Sequence, residues 1–174
     1  TDKETGLMVV VQGATYNHNH ANGMSMELYG AGTVMGPDPG NGTNYEDVTH
    51  VKYYAQWAAH NTVVGGAASG SVPYFKGGGG TKKIGEIKLK AMEPKAGLTA
   101  VSAHCSFTDT RYTDGSTKTN QQRTMAIVRT SPTSGYYVDI YRSSHPLSNE
   151  YVYHNIRQQL ELKDSKRNPI TLKP

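Results

Sequence analysis

Apolar positions along this chain fall in short runs and short alternations, separated by glycine-rich breaks. Residues 7–11 (Leu-Met-Val-Val-Val) form an unbroken apolar run of strand length, predicted to be a buried strand. Over residues 24–28, Met24, Met26 and Leu28 alternate with Ser25 and Glu27, the pattern of a half-buried strand. Gly30, Gly32 and Gly36 end it, and Gly36-Pro37-Asp38-Pro39-Gly40-Asn41-Gly42 predicts a loop. Residues 52–59 fit either a helical turn or extended chain, and 61–64 are short and β-branched. The glycine run 77–80 predicts a flexible connector and is the best internal boundary. Beyond it the pattern predicts a β-meander, with strands at 86–91, 98–107, 123–129, 136–142 and 150–157 and a hairpin turn at Asp114-Gly115. The tail, 163–174, is polar, contains two prolines and is open to continuation. No repeat of fixed period is present. The expectation is an all-β fold, with large antiparallel sheets packed as a sandwich over residues 1–174.

Composition agrees. The 174 residues suit one domain or two small ones and can bury a sizeable core. A hydrophobic content of 36% argues against a helix-rich bundle, and 19 Gly with 12 Tyr suits strands and tight turns. The net charge of +4 gives a mild attraction for polyanions. No Lys/Arg tract interleaves with aromatics, so nucleic acid is set aside. The lone cysteine, Cys105, cannot form an internal disulfide and reads as a small core residue. No hydrophobic run approaches the length of a membrane span. The first residues, Thr1 to Gly6, are not a signal peptide and lack an initiator Met, which suits a processed or excised piece.

Candidate chemistry concentrates in Tyr16-Asn17-His18-Asn19-His20-Ala21-Asn22-Gly23. Two histidines at i and i+2 point the same way on extended chain, a common metal-ligand spacing. The pair alone reads equally as ligands or as ordinary surface histidines. Asp38 in its loop and His60 in Ala59-His60-Asn61-Thr62-Val63 would complete a zinc set of two imidazoles and a carboxylate. The plainer alternative is a turn-forming Asp and a hydrogen-bonded strand His.

The run from Asn17 through His18, His20 and Gly23 to Tyr29-Gly30 resembles the heparinase II/III-like polysaccharide lyase family. So do Asp38-Pro39-Gly40 with Tyr45, Ala59-His60-Asn61-Thr62-Val63, the Tyr136–Arg142 stretch and Tyr151-Val152-Tyr153-His154, in order over about residues 7–157. The resemblance implies the β-sheet portion of such an enzyme, whose other part, an α/α toroid, has no counterpart here. It implies cleavage of uronic-acid polysaccharides by β-elimination. His18 would reach the cleft as a catalytic group, and His20, Asp38 and His60 would bind a structural zinc. Tyr45 would be an acid or a substrate contact, and is read equally as a packed loop aromatic. The implied partners are an acidic polysaccharide and the missing toroid, and the implied location is the bacterial periplasm or exterior. By itself the piece would be inactive.

The other histidines match no motif. His50, His104 and His145 read as surface or hydrogen-bonded residues, and His154 as structural. Asn41-Gly42-Thr43 fits a glycosylation sequon, a spacing that arises often by chance. Two further readings stand beside the lyase: a carbohydrate-binding β-sandwich using its tyrosines, and a cupin-like metalloenzyme built on His-x-His.

Overall fold

The structure is a computed structural model. It describes residues 6–12, 23–38, 43–44, 46–66, 75–76, 80–81, 87–94, 105–113, 119–156, 159 and 161–171. Strands β1 (Met8–Gln12), β2 (Ser25–Gly30) and β3 (Thr33–Gly36) form an antiparallel sheet in that order. Ala31 and Gly32 join β2 to β3 with φ of 50° and 76°, closing on the Gly30–Thr33 pair. Two positive φ values at the centre of a two-residue hairpin match the right-handed twist of the strands. A π-helical turn, His50–Tyr54, and a 3-10 turn, Trp57–Ala59, lead to β4 (Val63–Gly65). The short strands β5 (Phe75–Lys76) and β6 (Gly80–Thr81) pair across the glycine run. Then β7 (Ile87–Glu93), β8 (Cys105–Thr113), β9 (Asn120–Ser131) and β10 (Ser134–Ser143) make a four-stranded antiparallel meander. Finally β11 (Asn149–Tyr151) returns to pair with β4.

The sheet of β1–β3 lies against one face of the meander, so the fold is an all-β sandwich as expected. Along β9 the odd positions Gln121, Arg123, Met125 and Ile127 are buried and the even ones are half-exposed. This period of two sets an inner and an outer face. Met26, Leu28 and Met125 form the buried core between the sheets, with Val9, Val11 and Tyr137 packed on it. Each such large side chain contributes about 1.5–3 kcal/mol when fully buried.

Several local expectations change. The apolar run of β1 is half-buried throughout, with only Leu7 before it buried. Residues 52–59 belong to the two tight turns. The strand expected over 98–107 appears as β8 from Cys105 to Thr113, and 95–104 lie outside the described residues. β8 runs on through Thr108–Thr113 because its inward residues bond to the interior, as Thr110 Oγ1 does to the Arg123 carbonyl at 3.2 Å. β9 and β10 run longer than their apolar cores, while β11 stops at Tyr151. Cys105 is half-exposed on the outer face. Asp114-Gly115 lies outside the described residues, within a connection that joins β8 to β9 across the Thr113–Asn120 pair.

Candidate functional site

The centre of the site is an Asp–His pair. β3 ends at Gly36, and Pro37 delivers Asp38 beneath the start of β4, where His60 closes the 3-10 turn. His60 Nδ1 donates to Asp38 Oδ1 at 2.8 Å, with the two side chains only 2% and 4% exposed. Asp38 Oδ2 accepts from Ser25 Oγ at 2.8 Å and Gln12 Nε2 at 3.0 Å. Gln12 and Ser25 face each other across β1 and β2, so both strands anchor the carboxylate. This explains why Ser25 is fully buried although the alternation put it on the polar side.

Asn61, next to His60, is the hub of the surrounding chain. Its Nδ2 donates to the carbonyls of Met26, Gly36 and Pro37 at 3.1, 3.2 and 2.8 Å. Its Oδ1 accepts from the backbone N–H of His154 at 2.6 Å. A buried amide so engaged fixes β2, the Asp38 loop and the 152–155 segment together, because leaving any of these groups unpaired costs about 1–3 kcal/mol. Thr62 Oγ1 donates to the Gly23 carbonyl at 2.6 Å, pinning the far end of the segment that begins after Gln12.

Arg123 holds the arrangement from below. It is wholly buried, and its Nη1 donates to the carbonyls of Met24 at 2.6 Å and Asn61 at 2.8 Å. Its Nε and Nη2 grip Asp139 bidentately at 3.1 and 2.6 Å, and the Tyr151 hydroxyl donates to the same carboxylate at 2.7 Å. Met24 has φ of 52°, a left-handed conformation unfavourable for a side-chain-bearing residue. The guanidinium on its carbonyl is one contact that holds it there.

Beside the pair stands His154. Its Nδ1 lies 3.0 Å from Asn61 Oδ1, and its Nε2 lies 3.3 Å from the hydroxyl of Tyr53, on the π-helical turn. Burial is the main cause that holds its pKa below the ordinary histidine value, and the nearby His60 adds to this. The Ala58 backbone and the charge of Asp38 pull the other way. Sequence reading took His154 as structural and gave Tyr53 no role. A His after an alternating strand carries no mark of a site until the fold places it.

Of the expected site residues, the structure brings Asp38 and His60 into contact across 22 positions of sequence. His18, His20 and Tyr45 lie outside the described residues. Among the described residues no group of three or more His, Cys, Asp or Glu side chains is placed to hold a metal ion. The pair itself suits zinc chemically, with one carboxylate oxygen and one imidazole nitrogen. His50 is buried within its turn, and the ring of His145 lies over Gly65 and Gly66. His104 and Asn41-Gly42 lie outside the described residues.

No protein-family model matches the chain. Over 164 residues it is 36% identical to an endo-acting ulvan lyase of Formosa agariphila, an alignment that takes in 90% of this chain. The chain is thus homologous to part of a polysaccharide lyase. It spans about a fifth of that relative's length, 20%. No helix among the described residues is long and apolar enough to cross a membrane.

Proposed function

We propose that this chain is the β-sheet portion of a secreted or periplasmic lyase of the heparinase II/III-like type. Its substrate class is uronic-acid polysaccharide, ulvan being the polymer named for its relative. The observation that supports this reading is the Asp38–His60 contact, which joins two of the three residues expected to bind zinc. Gln12 and Gly23, the ends of the segment that carries His18 and His20, are tied to Asp38 and to Thr62. That supports His20 as the third ligand.

In β-elimination a base takes the proton on the carbon α to the uronate carboxyl group. The electron pair of that C–H bond forms the new C=C bond as the bond to the 4-linked oxygen breaks, and an acid protonates the departing oxygen. His18 is the base in this reading, since a neutral imidazole suits proton removal near pH 7. Tyr45 is the acid or a substrate contact. The remaining groups, including those that neutralise the carboxylate, come from a helical toroid. Zinc, when bound, would supply a cross-link among His20, Asp38 and His60 that fixes the backbone aiming His18.

Metal analysis of the purified chain is expected to find zinc, and His20→Ala and His60→Ala are each expected to lose metal and melting temperature together. In the polypeptide that joins this chain to its helical partner, His18→Ala is expected to lower turnover by ~10²–10⁴ with little change in melting temperature. Chain without zinc before any chelation, or near-normal turnover of the His18 variant, would refute the respective role.

A further inference from the structure

The outer face of the β7–β10 meander carries a row of cations that the site above does not use. Lys88 stands opposite Arg111, Arg111 opposite Gln122, and Gln122 opposite Arg142, one residue from each strand. Directly opposed residues of antiparallel strands share a face. Here that face is turned away from the core: Lys88, Arg111 and Arg142 are exposed, while Thr110 and Arg123, the adjoining positions, are buried. At a strand spacing of about 4.8 Å the row is roughly 14 Å long. Lys90, at the irregularity between Leu89 and Ala91, is exposed as well.

Like charges on neighbouring strands, as at the Lys88–Arg111 pair, destabilise a sheet. The nearest acid of the adjoining outward row, Asp109, is taken by neutral donors. Gln122 Nε2 reaches its two oxygens at 2.9 and 3.0 Å, and Thr124 Oγ1 donates at 2.9 Å. The same contact turns the Gln122 amide toward Asp109, leaving it as a neutral spacer between two arginines. Among the described residues neither Arg111 nor Arg142 has an ion-pair partner.

The geometry points to a second polysaccharide-binding site on this face, distinct from the Asp38–His60 site, where an acidic glycan strand lies across the four strands. Guanidinium groups bind carboxylate or sulfate in a planar fork, and a line of them matches a polymer that repeats its charge along its length. The row holds no aromatic residue on which bases would stack, which favours a glycan over single-stranded nucleic acid. That the glycan is a uronate polymer rests on the lyase reading.

The test is affinity electrophoresis of the 174-residue chain in gels containing ulvan, alginate or neutral dextran. The chain is expected to be retarded by the acidic polymers and not by dextran, and the retardation to fall with added salt. The double variant R111Q/R142Q is expected to bind roughly three- to tenfold more weakly, the effect of two exposed charge contacts. K166Q/R167Q, which removes the same charge from the exposed turn near the carboxyl end, is expected to bind as the unmodified chain does. No retardation of the unmodified chain, equal loss in both variants, or tighter binding to DNA than to glycan at equal salt overturns the proposal. Zinc content and elimination activity test the lyase reading separately: retention without either leaves this surface standing, and zinc with activity but no retention removes only the surface.

Discussion

Two rows of the meander lie one residue apart and face opposite ways. Inward, Thr110, Arg123 and Tyr141 are register partners; outward, Arg111, Gln122 and Arg142 are. Both rows contain arginine, and burial separates what the arginines do. Arg123 spends its donors on Asp139 and on two backbone carbonyls, so its charge is consumed in holding the chain. Arg111 and Arg142 keep theirs in solvent. A cation inside a sandwich fixes backbone, and the same cation outside is left to meet a ligand.

The largest effect that would break this comparison is expected at Arg123. Arg123→Met leaves Asp139 without its fork, the Met24 carbonyl without its guanidinium donor, and the Asn61 carbonyl with only the Met26 N–H. The expected loss is about 3–5 kcal/mol of unfolding free energy in urea denaturation, and a loss under ~1 kcal/mol would place Arg123 with the outer arginines. A smaller effect is expected from His154, a group on the inner side that becomes a cation in acid. Its folded pKa lies below the ordinary value because burial disfavours the charged form. The unfolded chain therefore takes up the proton first. The contribution to stability is full above the unfolded value of about 6.5 and is lost as the pH falls below it. His154→Gln is expected to flatten the stability curve between about pH 7 and pH 5, and an unchanged slope would remove His154 from this account. The smallest effect is expected outside: R111Q/R142Q should shift the unfolding free energy by no more than ~0.5 kcal/mol, toward greater stability because like charges are relieved.

The sandwich was legible because strand-length runs and alternations marked its strands, as in Met24-Ser25-Met26-Glu27-Leu28, where Met24, Met26 and Leu28 are buried. In Tyr136–Arg142 the alternation found the strand although its apolar Tyr136 and Ile140 face outward and Tyr137, Asp139 and Tyr141 face the core. β8 was displaced in the reading because its inward Thr108, Thr110 and Tyr112 are polar or amphipathic, so its alternation does not show as hydrophobicity. The Asp38–His60 contact was legible only through resemblance, since spacing alone left both residues with plainer explanations. Asn61 and His154 stood in stretches that carry the resemblance, but Asn61 was given no role and His154 a structural one, and Arg123 carried no signal. Their roles depend on partners 62 to 99 positions away for Arg123 and 93 for His154, which no local pattern encodes. The outer cation row was equally hidden, because register, not sequence distance, lines up Lys88, Arg111 and Arg142.

The long reach of Arg123 also sets the order in which the molecule can be made. A ribosome delivers Asp38, His60 and Asn61 early, yet the carbonyls of Met24 and Asn61 meet a guanidinium encoded 99 and 62 residues downstream of them. The Asn61 amide waits longer still, for the His154 backbone. Until β9 and β10 have left the exit tunnel, the core face of β1–β3 lacks Met125 and Tyr137, the condition in which nascent β-proteins need protection from association. The surroundings of the Asp38–His60 pair are therefore complete only once the segment from Arg123 to His154 has been made.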